Sequence, residues 1–256
     1  MSCLIYCVIK GPAPAIPATL SGVEGQPVFL VPHQGLVAAV SRVEAEDDLT
    51  PTLERIRAYE QVVARWRREC TVIPMRYGCR VPDEARVVRL LKERQARYLG
   101  LLEELEGCVE MGLRIRLSEV KASPGLIRGR GNSPDSASSA KPGASQERPG
   151  LSYLQGRKVH YEELEQWTLK YRRIAAQCLT YLAGWFIRSK TEGPSPHLPW
   201  LSLYFLVPQE ALEGFRRGVR SFRPGGGVKL LLSGPWPPYN FVVEPPSLDG
   251  MEGGDG

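Results

Sequence analysis

Apolar and polar residues alternate most regularly in "CVEMGLRIRL", residues 108–117, where Val109, Met111, Leu113, Ile115 and Leu117 oppose Glu110, Arg114 and Arg116. A period of two over this length predicts a strand with one face covered. The opening run at 4–10 is apolar throughout and predicts a short strand. "PVFLV" and "LVAAVSRV" flank "PHQG", and two β-rich runs around a short turn containing Gly35 predict a hairpin. Helical spacing begins after "EAEDD". Thr50 can cap a helix whose first turn holds Pro51, and Leu53, Ile56, Tyr59, Val63 and Trp66 then recur at threes and fours to about residue 69. "TVIPMRYGCRV" is a strand that Pro74 confines to an edge or an end. Asp83 opens a helix running to about residue 106, with Val87, Leu91, Tyr98, Leu102 and Leu105 on one side and Gly107 to end it.

The second half repeats the alternation of helix and strand. Residues 121–149 are dominated by Ser, Gly, Pro, Ala and charge, a composition too poor in apolar surface to offset its ordering entropy, and they predict a flexible linker or disordered insertion. Leu164, Trp167, Tyr171, Ile174, Cys178, Tyr181 and Trp185 then fall at steps of three and four. A helix over 158–188 would be roughly 45 Å long. Its stripe needs a partner surface: the core of a second domain, a groove for another domain or protein, or a cofactor box. "WLSLYFLVP" predicts a strand, 209–222 a helix with Leu212, Phe215 and Val219 inward, and "VKLLLSG" a last strand. The predicted fold class is α+β, with helices segregated on faces of largely antiparallel sheets. It comprises two small domains, a ferredoxin-like one at 1–120 and one at 150–243 built on the long helix and an antiparallel sheet, followed by an acidic Gly-rich tail at 244–256. No internal repeat is evident beyond a loose similarity between the halves.

Composition narrows the function classes. With 43% hydrophobic and 24% charged residues the chain reads as an ordinary globular protein. No apolar run is long enough for a membrane-spanning helix. The start, "MSCLIYCVIK", lacks a basic leader and a small-residue cleavage site, so a cytoplasmic location is expected. Lys and Arg exceed Asp and Glu by 33 to 28, but "RWRRE", "RIR" and "YRR" are scattered, which argues against a nucleic-acid partner. The six cysteines include no CxxC pair, and no His stands at ligand spacing from one of them, so no metal site is expected. Cys3 and Cys7 on one strand would sit about 13 Å apart, too far for a disulfide.

Candidate chemistry is sparse. GxSxG, HExxH, GxGxxG and GxxxxGK[ST] are all absent, and no cofactor is expected. "PGGGVK" precedes a strand, so it lacks the helix N-terminus that makes a Gly-rich loop bind phosphate. Cys79 and His160 are the groups an unrecognised enzyme would use; His160, near Glu162 and Glu163 at the start of the long helix, reads more simply as an exposed residue near a helix N-terminus. "LLLSGPWPPYNFV" is the most distinctive stretch. Pro235 to Pro238 satisfies PxxP, but the segment continues a buried-looking strand, whereas a polyproline ligand belongs in polar sequence. A structural clasp is the better reading: Gly234 turns the chain, Pro237 and Pro238 stiffen it, and Trp236, Tyr239 and Phe241 cover apolar surface.

The string Gly234-Pro235-Trp236-Pro237-Pro238-Tyr239 also resembles the C-terminal signature of the GvpL/GvpF family of gas-vesicle accessory proteins. "LIYCVIKG", "GLVAAVSRV", "AYEQVVARWRRECTVIPMRYGC" and "LSYLQGRK" resemble family segments in the same order. Two departures stand out: Tyr59 where many members carry His, and Tyr77-Gly78-Cys79 in place of Phe-Gly-Thr. The resemblance implies a non-enzymatic assembly factor for gas vesicles, the gas-filled protein shells that give some prokaryotes buoyancy. It further implies two α+β domains, the first ferredoxin-like, and partners among the hydrophobic shell protein and other accessory proteins.

Overall fold

The protein is described by a computed structural model covering residues 1–16, 20–44, 49–117, 166–193, 200–225 and 227–242. The first unit contains strands β1 (Ser2–Lys10), β2 (Val28–His33), β3 (Leu36–Val43), β4 (Val72–Pro74) and β5 (Arg80–Val81), with helices α1 (Leu53–Arg67), α2 (Glu84–Glu93) and α3 (Gln95–Glu104). The second contains strands β6 (Cys108–Leu117), β7 (Arg188–Glu192), β8 (Trp200–Pro208) and β9 (Val228–Trp236). Its helices are α4, described at 166–181, and α5 (Leu212–Ser221).

The first sheet has the order β2-β3-β1-β4, with β5 also on β1, and every pairing is antiparallel. β3 and β4 therefore run parallel on either side of β1 with α1 between them in sequence, a split β-α-β unit. The β1-to-β2 connection carries no α-helix among its described residues, only a short 3-10 turn at Val23–Gly25. The second sheet has the matching order β7-β8-β6-β9, also antiparallel throughout. Here β6-α4-β7 and β8-α5-β9 are both split β-α-β units. The complete ferredoxin-like arrangement thus lies in the second unit, and the first shares its strand order with one helical crossover missing.

The α+β class and the pair of antiparallel sheets match the sequence reading, and several boundaries differ. β6 was expected to close the first domain at residue 120; it is instead the second sheet's inner strand, paired with β8 and β9. Its apolar side chains share a core with Leu203, Phe205 and Phe215, far along the chain, so local sequence could not assign it. The expected 83–106 helix is two, because Arg94 at φ −115°, ψ 14° turns the chain between α2 and α3. α1 is capped by Thr52 in place of Thr50: the Thr52 hydroxyl accepts from the Arg55 amide at 3.2 Å. The hairpin turn holds only Gln34 and Gly35, since Pro32 and His33 pair with Val37 and Leu36. α4 stops at 181, well before the expected 188, where Gly184 at φ 92° carries the chain away and Arg188 begins β7. The expected linker at 121–149 and tail at 244–256 lie outside the described residues.

Three cores result. α1 covers one face of the first sheet with Tyr59, Val62, Val63 and Trp66. α2 and α3 cover its other face with Val87, Leu91, Tyr98 and Leu102. α4 and α5 cover one face of the second sheet. β1 is buried on both sides, from Ser2 to Ile9, which explains its unbroken apolar run.

Candidate functional site

The clasp grows out of β9 at an irregularity. Glu110 pairs with Trp236 and Gly112 with Ser233, so β9 spends one more residue than β6 over that interval, a β-bulge. Gly234 sits in the bulge at φ 110°, and a Cβ there would lie 2.8 Å from the Glu110 carbonyl oxygen. Only glycine fits both the backbone conformation and the close approach. Beyond the bulge the chain crosses the end of the second sheet and runs along the first unit.

Apart from Trp236, every later residue of the signature is engaged. Pro237 and Pro238 are buried. The Pro235 carbonyl accepts from Arg67 Nη1 of α1 at 3.0 Å. Tyr239 donates its hydroxyl to Glu60 Oε1, also on α1, at 2.5 Å. The Asn240 amide and side-chain nitrogens donate to the two carboxylate oxygens of Glu110 at 2.8 and 2.6 Å. Phe241 is buried among Leu206 and residues of α2 and α3, with the Arg188 guanidinium 5.6 Å above its ring. Arg97 of α3 donates to the Val242 carbonyl at 3.4 Å. Segment 234–242 therefore joins α1 and α3 of the first unit to β6 and β7 of the second.

Burial sets the electrostatics. It raises the Glu110 carboxyl against the opposing pull of Asn240's two donors. Burial lowers the Arg67 guanidinium. The Tyr239 phenol is pushed far up by burial and then by Glu60, so it stays a neutral donor across the physiological range.

Trp236 is the exception within the signature. It is 47% exposed, and Leu231, two rows away on β9 with Ser233 between them, is 61% exposed. Both belong to the face of the second sheet opposite α4 and α5. The register places Lys190, Tyr204, Gly112 and Ser233 in one row of that face and Glu192, Ser202, Arg114 and Leu231 in the next. A row of Trp200, Arg116 and Lys229 follows. Among the described residues, clasp and α3 cover only the end holding Leu206 and Glu110. The remainder is a shallow cavity of about 340 Å³ with a floor of Gly112, Ser202 and Ser233, walled by Tyr204, Leu231 and Trp236. Small residues in the middle of a sheet create it; a Cβ on Gly112 would already lie 2.8 Å from Ser233 Oγ. Charge on the face is mostly positive: Arg114, over the Trp200 ring at 5.6 Å, with Arg116, Lys229 and Lys190. Glu192 is the acidic member, 3.2 Å from Lys190 Nζ and accepting from the Tyr204 hydroxyl at 3.2 Å.

The aromatic stripe serves the fold. Tyr171, Ile174, Cys178 and Leu182 are core residues, and the Tyr171 hydroxyl accepts from the Leu117 amide at 3.5 Å. Trp167 packs half-buried at the margin. Tyr181 is 47% exposed with its ring 5.4 Å from Phe222. Trp185 lies beyond the helix, its indole on α5 where Gly214 and Gly218 leave room; a Cβ on either would approach it to 2.8 and 2.5 Å. Leu164 and His160 lie outside the described residues. Cys79 is half-buried with its thiol raised by burial, the wrong direction for a nucleophile. Among the described residues no group of three or more His, Cys, Asp and Glu could hold a metal. Tyr59 is buried with its hydroxyl 2.8 Å from the Met75 carbonyl and 3.0 and 3.1 Å from those of Ile5 and Tyr6, pinning α1 to the bulge in β1. Sequence reasoning missed the open face and Glu110; the visible signal was Gly112 interrupting an alternating strand.

Residues 2–243 match the family described as Gas vesicle synthesis protein GvpL/GvpF. The chain is 26% identical over 252 residues to Gas vesicle protein F of Streptomyces sp. (strain CB03234), covering 94% of this chain and 100% of that one. It is 25% identical over 251 residues to Gas vesicle protein L of the same organism, covering 93% and 91%. Two crystal structures share the fold: gas vesicle protein GvpF from Anabaena sp. PCC7120, at TM-score 0.65 and 18% identity, and GvpF from Microcystis aeruginosa, at 0.64 and 15%. Each alignment covers 95% of this chain and 99% of the other.

Proposed function

The chain belongs to the GvpL/GvpF family of gas vesicle synthesis proteins, and from that premise we propose that it is a non-enzymatic assembly factor that binds the hydrophobic shell protein, together with other accessory proteins, in the cytoplasm during gas-vesicle formation. One observation carries the reading. The clasp commits its prolines, Tyr239, Asn240 and Phe241 to the fold, yet holds Trp236 on the same sheet face as Leu231, a face that no helix covers there among the described residues. A subunit destined for a gas-facing wall exposes apolar surface before assembly, and such surface aggregates unless a partner covers it. An apolar patch ringed by charge on a rigid sheet is a surface suited to that task, because it gives up little conformational freedom on binding. The aromatic helix α4 supports the sheet from behind.

Co-purification with the shell protein tests this. The wild-type chain should retain shell protein, and Trp236→Ser combined with Leu231→Ser should lose most of it while the far-UV spectrum and thermal midpoint stay unchanged. Equal retention by both would remove the face from the reading. Normal vesicle formation with Cys79→Ala or His160→Ala is expected; loss of vesicles with a stable, folded Cys79→Ala chain would favour an enzyme instead.

A further inference from the structure

The second sheet has two edges, and they differ in kind. β7 is the run Arg188-Ser189-Lys190-Thr191-Glu192, charged at every second position. Edge charges, lysine above all, discourage pairing with another strand. In the first sheet β2 carries Pro32, which cannot donate, and β4 is only three residues long. β9 keeps its proline and its bulge at the far end and is otherwise weakly protected. It is nine residues long, holds a single charge at Lys229, and among the described residues no strand pairs with its outer side. Pro235 and the bulge end its usable length, leaving Val228 to Ser233, about 20 Å of open edge.

Resting on the reading above, we propose that this edge of β9 receives a further antiparallel strand from a gas-vesicle partner, an extended segment in which apolar and acidic residues alternate. Side chains of an added strand fall alternately on the two faces of the sheet. On the helix side they would continue the row of Val228, Leu230 and Leu232, partly buried residues packed on the α4–α5 core. That side calls for apolar residues. On the open side they would lie next to Lys229 and Leu231, with Arg116 and Arg114 one strand further in. That side calls for carboxylates, since Arg114, Arg116, Lys190 and Lys229 stand there against Glu192 alone among the exposed acids. Main-chain hydrogen bonds would give affinity, and the charge pattern would choose the partner.

The probes are two synthetic octapeptides, one alternating valine with glutamate and one alternating valine with lysine, added to the full chain. The acidic peptide should bind about tenfold more tightly, a gap that narrows as salt is raised. Hydrogen exchange should slow at alternate amides between Val228 and Ser233 and stay unchanged in β7. Lys229→Glu should reverse the preference between peptides. Equal binding of both peptides, or protection at β7, overturns the proposal. Protection of β9 without peptide, growing with protein concentration alongside a dimer in light scattering, overturns it in favour of a second copy of this chain. Shell-protein capture is measured in parallel. Capture that persists undiminished in a Lys229→Glu chain, whose Leu231 and Trp236 are intact, overturns strand addition and leaves the proposed function standing. Acidic-peptide binding without any shell capture does the reverse.

Discussion

The two sheets have the same strand order and opposite fates. In the first, β1 is buried from Ser2 to Ile9 because α1 covers one face and α2 with α3 the other. In the second, the corresponding strand β6 buries Val109, Met111, Leu113, Ile115 and Leu117 while Arg114 and Arg116 face water. The difference is written in composition: an unbroken apolar run against strict alternation. Among the described residues, one topology thus yields a closed scaffold and an open platform. The clasp joins them, so the platform is held rigidly by a unit that has no free face of its own.

The comparison breaks most severely at Trp66. Its ring is fully buried between α1 and the first sheet. Trp66→Ala should cost about 3–5 kcal/mol, read as a shift in the urea midpoint at constant slope. A loss below about 1 kcal/mol would mean that α1 is not needed to close the first sheet.

At the joint, Tyr239→Phe removes the donor to Glu60 and should cost about 1–2 kcal/mol, the lower part of the range for bonds to charged groups because Glu60 keeps contact with water. A double-mutant cycle with Glu60→Gln should show a coupling of similar size. Additive effects would show that the clasp is held by Glu110 and Arg67 without this bond.

Much of this was legible in the residues. The alternation of β6, the hairpin and the clasp's structural role follow from period and turn chemistry. Sheet membership did not: β6 sits next to α3 in sequence, and its partners β8 and β9 begin at Trp200 and Val228. The α2–α3 break was hidden because the apolar stripe runs through Arg94 with no proline or glycine to mark it. The open face was hidden for another reason. Alternation reveals that a strand has a polar side, but only the register brings Gly112, Ser202 and Ser233 together as the floor of a cavity.

The platform's core has its own pH signature. Burial pushes the Cys178 thiol up to about 12. An unfolded cysteine titrates near 8.5, so between those values the folded state holds a proton that the unfolded state has lost. Its contribution is complete below about pH 8.5 and declines by up to about 1.4 kcal/mol per pH unit above it. Cys178→Ala should flatten the alkaline limb of the stability curve by about that slope, as measured by urea titrations between about pH 8 and 11. An unchanged limb would assign alkaline loss to the first unit, where burial also raises Cys7 and Tyr59.

The smallest effect is the most discriminating. Leu231→Ser with Trp236→Ser removes the two most exposed apolar side chains of the platform. Because neither is buried, the stability change should stay within about 0.5 kcal/mol, the range of ordinary surface substitutions. Binding of an environment-sensitive hydrophobic dye should fall at the same time, and self-association at high concentration should not rise. That pairing separates a surface kept for a partner from a surface the fold needs. A loss of several kcal/mol would mean that Trp236 braces the bulge at Gly234, and the second sheet would then be closed on both faces in energetic terms, as the first one is.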